Sequence, residues 1–151
     1  MEFALSVPVF QTTNPIIKRI TEYTIMNMAE EITLEDLAKV GRVSTFYLCR
    51  LFKKDLGLSP MKWLWLQRTM AAAAYLLTDR SFSLTDVAFS CGFTSSAHFS
   101  RLFKSTYGVT PSHYKRLNRI GIENYPGTGV IPKSIEDDYK DNMILVSKEV
   151  F

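Results

Sequence analysis

Apolar residues recur at three- and four-residue spacing through most of the chain, in short blocks that open on a capping residue and close on a glycine or a polar cluster. Pro15 opens the first helix, with Ile16, Ile17, Ile20, Tyr23, Thr24 and Met28 inward and Lys18, Arg19 and Glu22 outward. Thr33 caps the second, Asp36 stands in the capping-box position, and Leu34, Leu37, Ala38 and Val40 face inward. Gly41 is expected to end it, with Arg42 and Val43 in a tight turn. Ser44 caps a third helix carrying Leu48, Leu51, Phe52 and Leu56 on one side, and Gly57 closes it. Ser59 and Pro60 begin a longer helix that runs to about Leu77, with Trp63, Leu66, Met70, Ala73 or Ala74, and Leu77 inward. Four consecutive alanines, Ala71 to Ala74, favour helix strongly and allow close packing. At about 1.5 Å per residue it spans roughly 27 Å, so it reads as a rigid spacer, a central core helix, or both.

After a polar connection, Thr78 to Phe82, the pattern repeats. Ser83 caps, Asp86 again sits three residues on, and Thr94 or Ser95 caps a helix whose Phe99, Leu102, Phe103 and Tyr107 lie inward before Gly108. Leu34, Asp36 and Ala38 match Leu84, Asp86 and Ala88 at an offset of fifty, whereas Arg50, Leu51, Phe52, Lys53, Gly57 and Pro60 match Arg101, Leu102, Phe103, Lys104, Gly108 and Pro111 at fifty-one. The slip places one additional residue in the second turn or cap. Two short helices joined by such a turn read as a helix-turn-helix, whose second helix can enter a DNA major groove. The outward faces are Thr45, Phe46, Cys49, Arg50 and Lys53 in the first unit, and Ser96, Ala97, Ser100, Arg101 and Lys104 in the second. The second stripe is small, polar and basic with no acid in it, and suits a backbone or base edge that carries acceptors.

Thr110 and Pro111 begin a last helix, with Tyr114 and Leu117 inward and Lys115, Arg116 and Arg119 outward, ending near Gly121. Met1 to Asn14 has no sustained period and reads as a loop or frayed arm. The tail from Gly121 holds turn signals at 125–129 and 131–133, an acidic run at 136–138 and a strand-like MILV at 143–146. It is read either as disordered or as a small extension packed on the body.

Charge sharpens this outline. From Arg42 to Arg119 twelve Lys or Arg face three acids, while the remainder carries six against twelve, so a basic centre has acidic flanks and suits a polyanion. Cys49 and Cys91 stand at no metal-ligand spacing and are expected as reduced thiols, with a redox role for Cys49 the less expected reading. His98 and His113 show no triad or metal spacing and no phosphate-cradling glycine loop occurs, so no catalytic residue, metal or cofactor is assigned. No apolar run is long enough for a membrane span, and the expected location is cytoplasmic.

At this point residues 16–118 resemble the DNA-binding domain of the AraC/XylS family of bacterial transcription regulators. The most specific match is Ala88, Gly92, Phe93, Phe99, Arg101, Phe103, Lys104, Gly108, Pro111, Tyr114 and Lys115, in order. The resemblance implies an all-α fold of about seven helices, in which two homeodomain-like helix-turn-helix subdomains are joined by a long linker helix. The expected division is 1–14 as arm, 15–58 as first subdomain, 59–78 as linker, 79–120 as second subdomain and 121–151 as acidic tail. It further implies a transcription regulator that inserts two recognition helices into successive major grooves of double-stranded DNA. Base-reading positions carried over from the family fall on Phe46, Cys49, Arg50, Ser96, Ala97, Ser100 and Arg101, and Thr45 joins them from the exposed stripe. Arg50 and Arg101 suit guanine, because a guanidinium bridges O6 and N7. Phosphate-contact candidates are Ser44, Lys53, Lys54, Arg68, Thr94, Ser95, His98, Lys104, Lys115 and Arg116.

The unlike reading faces predict an asymmetric site about two turns long, read by a monomer if the chain stands alone. Otherwise the chain is a fragment of a longer regulator with a separate effector or dimerisation domain. RNA polymerase is a further candidate partner, and activation and repression both stay open. The rival readings are a helical protein-interaction module and an architectural DNA binder without regulatory specificity.

Overall fold

The computed structural model describes residues 5–78, 82–119 and 143–148. Seven helices follow in the expected order: α1 (Pro15–Met26), α2 (Leu34–Gly41), α3 (Thr45–Leu56), α4 (Pro60–Thr78), α5 (Leu84–Ser90), α6 (Ser96–Tyr107) and α7 (Pro111–Arg119). The sequence caps them. Asn14 Oδ1 accepts from the Ile16 and Ile17 amides at 2.9 and 3.4 Å, with Pro15 at the first helical position. Thr33 and Asp36, and again Ser83 and Asp86, form reciprocal capping boxes. Gly57 and Gly108 leave their helices at φ 73° and 79°, the left-handed exits expected of them.

Two strands join the helical body. Leu5–Phe10 (β1) pairs antiparallel with Met143–Lys148 (β2), in a register that sets Phe10 opposite Met143 and Leu5 opposite Lys148. Strand β1 packs on α4, and Phe10 is buried in the first core. The loop expected before Asn14 is therefore strand over Leu5–Phe10. Its period is obscured by Pro8, which a two-stranded ribbon tolerates, and its partner lies at the other end of the chain. The MILV reading agrees with β2, while the turn signals and the acidic run of the tail lie outside the described residues.

Helix α4 belongs to two cores at once. Up to Met70 it gives Trp63, Leu64 and Met70 itself to a cluster with Ile17, Ile20, Leu37, Leu48 and Phe52. Beyond Met70 it gives Ala71 to Ala74 and Leu76 to a cluster with Val87, Phe93, Phe99, Phe103 and Tyr114. The single inward stripe expected of this helix is too narrow, since Leu64, Thr69, Ala71 and Ala72 are buried as well. Elements on several sides, including β1, leave the helix little exposed face. The spacer is thus also the central core helix. In the second core Phe103 stacks on Tyr107 at 4.7 Å and meets Tyr114 edge-on at 5.2 Å. Truncating such a ring typically costs about 3–5 kcal/mol.

Candidate nucleic-acid interface

The turns between α2 and α3 and between α5 and α6 set the direction of the two candidate recognition helices. They close on the same hydrogen bonds. In the first, the Arg42 amide donates to Lys39 O and the Val43 amide to Ala38 O, each at 3.1 Å. In the second, the Gly92 amide donates to Phe89 O at 3.1 Å and the Phe93 amide to Ala88 O at 3.0 Å. Both are Schellman closures, and each needs one residue in the left-handed region. That residue is Arg42 at φ 57° in one unit and Gly92 at φ 85° in the other. Gly41 ends α2 and the turn falls on Arg42 and Val43, both as expected. A Cβ on Gly41 would lie 2.9 Å from Ile16 Cγ2, so its small size lets α1 pack closely on α2. Arg19 fastens the same end, donating from Nη2 to Gly41 O at 3.0 Å.

From the left-handed residue on, the second turn is one residue longer. Val43 is followed directly by the cap Ser44, whereas Thr94 intervenes between Phe93 and the cap Ser95. This is the slip seen between the repeats, and it settles the choice of cap. Ser44 Oγ accepts from the Tyr47 amide at 3.1 Å, and Ser95 Oγ from the His98 amide at 3.2 Å.

Each twelve-residue helix then shows the face its spacing predicts. Phe46 and Arg50 are exposed on α3, with Thr45 and Cys49 half-buried beside them. Ser96, Ala97, Ser100 and Arg101 are all exposed on α6. Phe46 is 71% exposed, although apolar area of that size is normally covered, and the Arg50 guanidinium leans over its ring at 5.7 Å from the centroid. Arg101 has Ala97 one turn back and so lacks an equivalent platform in its own helix. Tyr47, next to Phe46, is exposed too, and its helical phase, between the inner and outer stripes, hides it from a reading by spacing. The exposed cap-side Arg42 was likewise read only as a turn residue.

The phosphate candidates divide. Lys53, Lys54, Lys104, Arg116, Ser44, Thr94 and Ser95 are exposed. Lys53 Nζ also donates to Gly57 O at 3.3 Å, at the end of its own helix. Lys115 is half-buried and donates from Nζ to Phe82 O at 2.7 Å, tying α7 to the segment before α5. His98 is half-buried, its ring edge-on to Trp65 at 4.7 Å and to Phe93 at 5.5 Å, so it packs on the linker helix rather than standing free. Arg68 has to be corrected outright. It is only 2% exposed, its Nη2 donates to Glu30 O, and its guanidinium lies 4.8 Å from the Trp65 ring centroid. A side chain set so far below the outer surface does not meet the backbone of a duplex lying across α3 and α6. A charged residue on a helix read as having one inner stripe was assigned to the outside, and α4 has little outside.

These features define a two-unit helix-turn-helix domain. The family described as Helix-turn-helix domain matches residues 37–117. Over 101 residues the chain is 37% identical to an uncharacterized HTH-type transcriptional regulator, YdiP, of Escherichia coli, a match that covers 67% of this chain and 33% of that protein. Among solved structures, an AraC-type transcriptional regulator from Chromobacterium violaceum superposes with TM-score 0.66 at 28% identity, covering 73% of this chain and 96% of the other. The DNA-binding domain of AdpA in complex with a target DNA gives 0.65 at 26% identity, covering 75% and 100%. The chain belongs to the AraC-type helix-turn-helix family of DNA-binding domains. It spans between a third and a half of the length of curated relatives such as YdiP and AdaA. No helix among the described residues is long and apolar enough to cross a membrane.

Proposed function

We propose that this chain is the sequence-specific, double-stranded-DNA-binding part of a bacterial cytoplasmic transcription regulator, reading DNA with the exposed faces of α3 and α6. The observation that carries this is the repetition itself. Two equivalent cap, turn and helix assemblies each present a small, acid-free stripe with one arginine at the same place, Arg50 or Arg101. Each guanidinium suits the O6 and N7 of a guanine, and Phe46 suits the methyl of a thymine. The exposed Lys53, Lys54, Lys104 and Arg116 supply contacts to phosphates that are blind to sequence. Because the two stripes differ in every residue but the arginine and the following lysine, the site they read is asymmetric and about two turns long. One chain suffices to fill it. The chain acts by binding rather than by catalysis, and RNA polymerase is the partner through which a bound regulator would act.

Selection of preferred duplexes from a random pool, followed by binding to the winner at two salt concentrations, tests this reading. An enriched, asymmetric two-part site with steep salt dependence is expected. Salt-sensitive binding without enrichment would make the chain an architectural binder. No binding to any duplex would leave a protein-interaction module.

A further inference from the structure

Between the two helix-turn-helix units lies a cleft of about 680 Å³, within the size range of small-molecule sites. Its walls are largely apolar: Leu34 at the start of α2, Met61 and Trp65 on α4, Phe89 on α5 and Phe93 in the second turn. The Arg68 guanidinium also lines it. This cation is 2% exposed, yet among the described residues its hydrogen bonding amounts to one bond to the Glu30 carbonyl, and its buried Nε has no partner there. Burial lowers its pKa, the Cys91 thiol nearby acts against that, and no carboxylate among the described residues does. Glu31, the acid on the cleft lining, is exposed. A buried guanidinium with no carboxylate partner among the described residues is costly, and proteins normally pair such groups. Phe89, 54% exposed, leaves an aromatic surface uncovered on the same cleft.

We propose that the cleft between the two units binds a small aromatic carboxylate, its anionic group on Arg68 and its ring against Trp65, Phe89 and Phe93. One buried cation calls for one negative charge, and three aromatic side chains call for a flat apolar body. A phosphate-rich ligand, with several negative charges, does not suit a lining that offers Arg68 as its one Lys or Arg and also carries Glu31. The site is distinct from the faces of α3 and α6, and it touches both units, since Leu34 belongs to one and Phe89 and Phe93 to the other.

The test uses naphthalene-2-carboxylate as probe, naphthalene-2-methanol as its uncharged control, and two-dimensional NMR of the isotope-labelled chain without DNA. The Trp65 indole and the Gly92 and Thr94 amides should shift saturably with a dissociation constant on the order of 1 mM or tighter. The Trp63 indole, buried in the first core, should not move and serves as an internal control. The alcohol, and the chain carrying Arg68→Gln, should each bind at least about tenfold more weakly. Because Arg68 is buried, Phe89→Glu provides a second variant at an exposed position. Its carboxylate would sit in the cleft, and it should weaken the probe by a similar factor. Absence of saturable shifts at these positions, equal binding of acid and alcohol, or full binding by a folded Phe89→Glu chain would overturn the proposal. Since no DNA is present, failure here is separate from failure of the DNA-binding reading.

Discussion

In the first helix-turn-helix unit the left-handed turn residue is an exposed arginine, and in the second it is a glycine pressed against the rest of the molecule. The backbone demand is the same, but the surroundings are not. A Cβ on Arg42 points to solvent-accessible space, so the first turn bears only the intrinsic cost of a left-handed L-residue, about 1 kcal/mol. A Cβ on Gly92 would lie 2.5 Å from Met28 O and 2.7 Å from the Arg68 guanidinium. The second turn is therefore a joint between the loop after α1, the linker helix and the second unit. The two copies share their local hydrogen bonding, while one of them has also become an interlobe contact.

Substituting these two residues gives the largest expected effects. Gly92→Ala combines left-handed strain with two short contacts and should lower stability by about 3 kcal/mol, read as a shift in the chemical denaturation midpoint. Arg42→Gly should instead raise it by about 1 kcal/mol. Equal responses at the two positions would show that Gly92 answers only a backbone need.

The reading faces give the next contrast. Arg50→Ala and Arg101→Ala should each weaken binding to the selected duplex by about 1–3 kcal/mol and relax base preference at separate places in it. A mutant that binds the selected site as tightly as the parent removes that arginine from the interface. Arg50 rests on Phe46 whereas Arg101 follows Ala97, so Phe46→Ala should cost a further share of affinity, about 0.5–1 kcal/mol, confined to the half of the site that responds to Arg50. Loss spread over both halves would mean that Phe46 supports the fold rather than the arginine.

The smallest effect concerns the capping boxes. Thr33 N donates to Asp36 Oδ2 at 2.9 Å, and the corresponding Ser83 bond to Asp86 is longer at 3.3 Å. Hydrogen bonds from Thr33, the backbone one first, hold the Asp36 carboxyl below its usual value. A folded-state pKa lowered in this way contributes stability that is present above the unfolded value and lost as pH falls through the folded one. Asp36→Asn should therefore flatten the stability curve below about pH 4, measured by urea midpoints across the acid range. An unchanged acid limb would mean that the box contributes nothing titratable.

What could be read from the chain alone is what is local. Caps are side chains bonding amides two or three residues away, and the left-handed exits of α3 and α6 fall on glycines, so all seven helices were legible and the outer stripes of α3 and α6 came directly from helical spacing. The one-residue slip between repeats was also legible, to within the second turn or its cap. Tertiary structure decided the rest, because it concerned residues distant in sequence. The strand at Leu5–Phe10 exists through a partner at 143–148, and Gly41 is small for the sake of Ile16 rather than for a turn. Arg68, basic and on a helix, looks like a surface contact until two cores and a strand close around α4. Periodicity reports which face of a helix is apolar, but only packing reports how many faces are covered.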